Sequence, residues 1–321
     1  MEFLDSKTIA VIASQSEWVD TMETALQMIT SGRFVMPKRM HLDYGENTFL
    51  LMPCITDEYW STKLVSFCPG NREKKRPSIY GTIVLNDTKT GESLAILDGG
   101  MITAMRTAAV SAAGIRHLSP LNCHSLGIIG TGVQGIYQVL FACSVREIDE
   151  IWAFDQNPGN LKKFAAEMNF RYPNIRVNLT NNSDHVALNS QVIISATNSK
   201  DPVFKNSKEL FTGRTFVGIG SYKPECREFP EQLFRQVDQI FVDTMDGKDE
   251  SGDLITPVMN NWIAGRNIFP IGSLIAGKIV TAENPTRLFK TVGSALFDLF
   301  AARLVYEKYI DKMEKPGSMT N

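Results

Sequence analysis

From residue 125 onward the chain alternates between short apolar runs and helix-patterned stretches, and this rhythm restricts its architecture more than any other feature. Strands are expected at 125–130, 150–155, 175–179, 191–196, 214–219 and 239–243. Helices at 133–145 and 158–171 separate the first of them, with Pro158 suited to a first helical turn. Apolar strands alternating with helices imply a parallel sheet covered on both faces. Where the first strand meets the first helix the sequence reads "GIIGTGVQG", 127–135. Gly130, Gly132 and Gly135 stand in the G-x-G-x-x-G spacing that lets a turn tighten, a backbone approach a pyrophosphate, and a helix pack on its strand. The helix N-terminus that follows would offer free N–H groups and the positive dipole end to phosphates. Asp155 closes the next strand, "EIWAFD", 25 residues after Gly130. A carboxylate there would accept hydrogen bonds from ribose hydroxyls and repel a 2′-phosphate, so NAD(H) is favoured while NADP(H) stays open. For the glycines the alternative is a tight βα turn with no ligand; for Asp155 it is a helix-capping carboxylate.

The residues before 125 follow a different pattern. Trp18, Met22, Ala25, Leu26 and Ile29 recur at helical spacing over 14–31, with Ser14 and Glu17 as a capping box and Gly32 as a stop. Strand-like runs follow at 48–53, 62–67, 80–87 and 93–98, the last two joined by the turn residues "NDTKTG" as a hairpin. The stretch 99–120 is an alanine-rich helix ending at Pro120, with Thr103, Arg106, Thr107 and Val110 along one face. Antiparallel strands after a helix suggest an α+β domain. A last helix, about 292–313, lies beyond the alternating region and is expected to pack back on this first domain.

Arg106 is the one charge in the middle of a small-residue helix, and should face water or an anion. Its guanidinium suits a bidentate grip on a carboxylate, and a structural salt bridge is an equal reading. Lys63, between Thr62 and Leu64, either points outward from a half-buried strand or faces a pocket. In a pocket, burial would lower its pKa and make it a usable proton donor or acceptor. The histidines (41, 117, 124 and 185) have no metal-binding spacing, GxSxG is absent, and no metal site is expected.

Composition excludes more than it specifies. With 33 basic and 35 acidic residues, the net charge of −2 gives no reason to expect nucleic acid or an anionic membrane surface as partner. The basic run at Arg72, Lys74, Lys75 and Arg76 is short, broken by Glu73, and reads as a solvated loop. Five scattered cysteines without paired spacing suit a reducing cytoplasm. The opening "MEFLDSKTIA" lacks a basic stretch followed by an apolar core, so no signal peptide is expected. Apolar runs fall short of the ~20 residues of a membrane span.

An ordered set of segments goes further: "RTAAVSAAGIRHLSP", "IIGTGVQG", "ISATNSKDPVF", "GIGSYKPECREFP", "ESGDLITP" and "FKTVGSALFD". In this order and spacing they resemble the ornithine cyclodeaminase/μ-crystallin family over nearly the whole chain. The resemblance implies an α/β fold: a Rossmann domain (121–288), doubly wound on a parallel sheet, and an α+β substrate-binding and dimerisation domain (1–120 with 289–321). It implies a homodimer and a small imino or amino acid as ligand. By matching position, Arg39, Lys63 and Arg106 resemble the family's carboxylate clamp, with Lys63 catalytic beside the reacting carbon. Thr107, Gly130, Thr131, Gly132, Val133, Gln134, Asp155, Thr197 and Val292 resemble its cofactor contacts.

Two positions depart from the cyclodeaminases in the family. Their general-base aspartate is Tyr222 here, and a tyrosine of reference pKa ~10 is a poor base at neutral pH. Their glutamate that meets the distal part of ornithine is Leu50 here. The resemblance therefore implies the reductase branch, in which an NAD(P)H-dependent enzyme of the Δ1-pyrroline-2-carboxylate or ketimine reductase kind forms an L-amino acid. Alternatives are an alanine- or opine-like dehydrogenase, an ornithine cyclodeaminase, or a non-catalytic binding protein of the μ-crystallin type.

Overall fold

A computed structural model describes residues 1–314, the side chain of Arg72 apart. The solvated-loop reading of that arginine thus lies outside the described residues. The chain forms two compact units, Met1–Arg106 with the segment from Ser294 onward, and Thr107–Gly293. The divisions fall between residues 106 and 107 and between 293 and 294, rather than after residues 120 and 288.

The first unit opens with β1 (Glu2–Leu4), α1 (Ser6–Val11) and α2 (Gln15–Ser31). Ser14 and Glu17 close the expected capping box, and Gly32 ends α2 in the left-handed conformation at φ 68°. Trp18, Val19, Met22, Ala25 and Leu26 form its buried stripe. Strands β2 (Met40–Tyr44), β3 (Asn47–Ile55), β4 (Tyr59–Phe67), β5 (Ile79–Asp87) and β6 (Ser93–Asp98) complete a six-stranded sheet of order β1-β6-β5-β4-β3-β2. β1 joins β6 in parallel and the other pairs are antiparallel. Helix α3 (Gly99–Leu118) follows, and the first division between units falls inside it.

The second unit contains β7 (Ser125–Ile129), α4 (Val133–Val145), β8 (Glu150–Phe154), α5 (Pro158–Arg171), β9 (Arg176–Leu179), α6 (Ser183–Leu188), β10 (Val192–Ser195) and β11 (Thr215–Gly218). Then come α7 (Glu231–Phe234), β12 (Ile240–Val242), α8 (Gly247–Glu250), α9 (Gly252–Met259), β13 (Ile268–Pro270), α10 (Ile271–Ile275) and β14 (Arg287–Lys290). The eight strands make one parallel sheet in the order β13-β12-β14-β11-β10-β7-β8-β9. Chain order reverses between β7 and β10, which is the topological switch point of a doubly wound sheet and the place where such sheets bind ligands. On one side the core is aromatic, with Phe204 stacked on Phe229 and edge-on to Phe211 and Phe216. Arg146 donates to the carbonyls of Ile115, Arg116, Ser119 and Pro120, closing the C-terminal end of α3.

Four strands escape a sequence reading: β1, β2, β13 and β14. β13 and β14 have three and four residues, and β14 ("RLFK") has a charge at each end. They are strands because neighbours pair with them: β14 inserts between β11 and β12, out of chain order. The chain then returns to the first unit as α11 (Ala295–Glu314), which packs on α2, β3, β4 and β5 as expected of the last helix. Tyr59 donates to Glu307 at 3.0 Å, and Lys308 pairs with Glu17 on α2. No helix among the described residues is long and apolar enough to cross a membrane.

Candidate functional site

In the first unit, Lys63 points inward. β4 alternates about it, with Ser61 and Lys63 buried and Leu64 exposed. Register places Lys63 opposite Met52 on β3 and Ile83 on β5, both buried. Its Nζ lies 2.6 Å from Oδ2 of Asp298, in the first turn of α11, and 3.4 Å from the hydroxyl of Thr103. Arg106 is buried too, so it meets a protein anion rather than water: its Nε donates to Oδ1 of the same Asp298 at 3.1 Å. Burial pulls the Lys63 pKa down to about 8, the charge of Asp298 resists, and Arg106 and more weakly Arg39 add to the fall. Arg39, half-buried in the segment between α2 and β2, is thus within electrostatic reach of the lysine.

Arg39, Lys63 and Arg106 are therefore brought together, around a residue the sequence reading did not single out. Asp298 is the only charge in "ALFDLFAA", and an acid in an otherwise buried helical run is the signal that could have found it. Two buried cations share one carboxylate. The surplus is positive, suited to a small carboxylate ligand. Leu50 shares the Lys63 face of β3, opposite Val65, and adds an apolar wall beyond the lysine. No group of three or more His, Cys, Asp or Glu among the described residues is placed to hold a metal.

In the second unit the glycine turn follows β7 at the switch point. Gly130 takes φ 88°, and a β-carbon on it would stand 2.5 Å from the Ala196 carbonyl oxygen in the loop after β10. A β-carbon on Gly135 would stand 2.1 Å from the Gly130 oxygen, so helix and turn pack as the spacing requires. Gly132 is the N-cap of α4 with no side-chain cap, and a β-carbon there would meet nothing within 4 Å. Gly132 and Val133 are exposed and Gln134 is half-buried. An open, uncapped helix N-terminus behind a glycine turn fits a dinucleotide pyrophosphate.

Each loop at this edge is fastened by a carboxylate. Asp155 accepts the backbone N–H and hydroxyl of Thr131 on Oδ2, at 2.7 and 2.9 Å, and the N–H of Asn157 on Oδ1. It therefore builds the turn, a role beyond the ribose contact expected of it. Glu228, fully buried, accepts from Ser195, from the N–H and hydroxyl of Thr197, and from the N–H of Gly220. Asp243 accepts from the Thr291 hydroxyl and the N–H groups of Val292 and Gly293. Burial raises its pKa against the pull of those bonds.

Thr197 and Val292 thus lie in anchored loops, and Thr107 is buried in α3 one residue past Arg106. Glu228 and Asp243 were missed because their donors come from distant loops. Asp253 and Lys290 were missed for the same reason. They form a buried pair, Nζ to Oδ2 3.6 Å, and burial holds the Asp253 carboxyl above its ordinary range.

Tyr222, at the position of the cyclodeaminase base, is half exposed beside Lys223.

The chain is similar to known proteins over nearly its whole length. A Delta(1)-pyrroline-2-carboxylate reductase of Bacillus cereus is 29% identical over 94% of both chains. The solved Thermococcus litoralis Delta(1)-pyrroline-2-carboxylate reductase, in complex with NADH and L-proline, superimposes with a TM-score of 0.90 at 31% identity, covering 98% of each chain. An archaeal alanine dehydrogenase dimer with bound NAD gives a TM-score of 0.88 at 25% identity, over 97% of this chain and 96% of that one. The model of the ornithine cyclodeaminase/mu-crystallin family matches residues 2–313, and the chain belongs to that family.

Proposed function

We propose that this protein reduces a small imino acid, a ketimine of the Δ1-pyrroline-2-carboxylate type, to an L-amino acid with NADH. The observation that carries this reading is the buried cluster in which two cations, Lys63 and Arg106, share the one carboxylate of Asp298. Arg106 and Arg39 hold the substrate carboxylate. Nε of Arg106 is taken by Asp298, which leaves its terminal nitrogens for that grip. Lys63 protonates the substrate nitrogen. With a pKa of about 8 it is mostly charged at neutral pH, yet gives up its proton far more readily than an exposed lysine. The glycine turn and the first turn of α4 would hold NADH, which when bound would supply the hydride for the imine carbon. Thr107, Thr197 and Val292 complete that cofactor site, and Asp155 favours NADH over NADPH.

Leu50 on the Lys63 face and a half-exposed Tyr222 disfavour deaminating cyclisation of a diamine, because neither offers an anion or a base. The five cysteines are free thiols, as a cytoplasmic enzyme would keep them. The outer face of the six-stranded sheet seats a second copy. Register puts Met40, Leu42, Phe49, Leu64 and Tyr80 together there, opposite to Lys63, each 37–54% exposed. A homodimer in sedimentation that Leu64→Arg turns into a monomer supports this face, and an unchanged dimer removes it.

The test of function is direct. Purified protein with NADH and Δ1-pyrroline-2-carboxylate should consume the reduced cofactor and form proline. Ammonia from ornithine with NAD⁺, or NADH binding without turnover of any imine, would overturn the reading.

A further inference from the structure

We propose that Asp298 is the positioning residue of this site: its one carboxylate fixes the Lys63 ammonium relative to the Arg106 guanidinium and keeps the lysine charged. The proposal rests on the reading of Lys63 as proton donor. Three separate elements meet at this carboxylate. Asp298 comes from α11, Lys63 from β4 and Arg106 from α3, with side-chain exposures of 1, 4 and 8%. Each oxygen takes one partner, Oδ2 the ammonium at 2.6 Å and Oδ1 the guanidinium Nε at 3.1 Å. A lysine on a four-carbon stem has no preferred direction of its own, whereas an ammonium ion-paired with a buried carboxylate is drawn to one place.

The charges around the pair are few. Lys63 feels the charges of Asp298, Arg106 and Arg39, and its ammonium donates to the neutral Thr103 hydroxyl. Asp298 also faces Cys54 on β3, whose thiol is pushed up to about 12 by burial and by this carboxylate, and so stays neutral. Asp298 is therefore the anion that opposes burial and the charge of Arg106 at the lysine. Without it, two buried cations would stand together unanswered, and the lysine is the one able to lose its charge. Because Asp298 neutralises only part of the positive charge, an incoming substrate carboxylate still finds cations to bind. A second acid would cancel that attraction.

The experiment compares Asp298→Asn, Asp298→Glu and Lys63→Met by the pH dependence of kcat/KM for Δ1-pyrroline-2-carboxylate with NADH, and by NADH binding from fluorescence. In the parent, activity should fall as pH rises through the Lys63 pKa near 8. In Asp298→Asn that limb should move down by about one to three pH units, since an opposite charge at this range supports the charged form by that much. At neutral pH kcat should fall, and NADH affinity should stay within about twofold. Asp298→Glu should restore the limb with a lowered kcat, because the charge is kept and the position is not.

An alkaline limb of Asp298→Asn coincident with the parent's overturns the proposal, whatever happens to thermal stability. If that variant does not fold, wild-type kcat and KM in Asp298→Glu overturn it instead. A Lys63→Met protein with the parent's rate overturns the proton-donor reading and this proposal with it. An inactive Lys63→Met beside an unmoved Asp298→Asn limb overturns the proposal alone.

Discussion

Around Lys63 one carboxylate answers two buried cations at 2.6 and 3.1 Å, with the charge of Arg39 also within reach. At the strand ends of the parallel sheet, Asp155, Glu228 and Asp243 receive backbone N–H groups and hydroxyls instead. The first region is under-neutralised, and its chemistry depends on which charges are present. The second has its carboxylates occupied in holding loops, and its ligand meets backbone N–H groups at a helix end. Removing a charge should therefore disable the first region and leave the second intact. Adding a methyl group should do the reverse.

Lys63→Met gives the largest expected effect. Loss of a general acid lowers kcat by about 10²- to 10⁴-fold. NADH affinity, measured by fluorescence, should not change, and a parallel loss of both would mean that the two regions are not independent. Gly135→Ala is the mirror case. Its new β-carbon would collide with the Gly130 carbonyl oxygen, so the turn must open. Overpacking of this kind costs about 1–3 kcal/mol, so NADH should bind roughly ten- to a hundredfold more weakly. Unchanged NADH affinity would detach the glycine turn from the cofactor.

Arg106→Lys keeps the charge and loses the fork. A single ammonium cannot reproduce a fork that reaches Asp298 through Nε while its terminal nitrogens grip a substrate carboxylate side-on, so KM should rise about tenfold, the value of one charge-assisted hydrogen bond, with a smaller change in kcat. A KM equal to the parent's would assign Arg106 to the salt bridge alone.

The two regions also differ in how far they could be read from the sequence. The glycine turn, the bounds of α4 and α5, and the caps of α2 are local: the residues that determine each lie within a few positions of it. Lys63 and Arg106 could be marked as candidates, but not their direction, because burial depends on what covers the strand. That cover is α11, and Asp298 on it lies 192 positions from Arg106. Glu228 is 31 positions from Thr197, and Asp243 is 49 from Val292. An acid that acts through loops so distant carries no local pattern. β14 was illegible for a related reason: its four residues become a strand only between β11 and β12.

Asp155 lies between these two uses of a carboxylate, and the smallest expected effect decides which one it serves. Its Oδ2 already takes both the N–H and the hydroxyl of Thr131, and its Oδ1 takes Asn157. An oxygen with one such donor still has a lone pair for a ribose hydroxyl. Asp155→Ser would shorten the side chain and release the turn, confounding two effects. Asp155→Asn keeps an acceptor for Thr131 and removes the charge. If the carboxylate faces the ribose, the preference for NADH over NADPH should fall about fivefold, the ~1 kcal/mol of a partly screened repulsion against a 2′-phosphate. It should fall further at low salt and less at high salt. If both cofactors weaken together and their ratio holds, Asp155 belongs with Glu228 and Asp243 as a carboxylate that only shapes a loop.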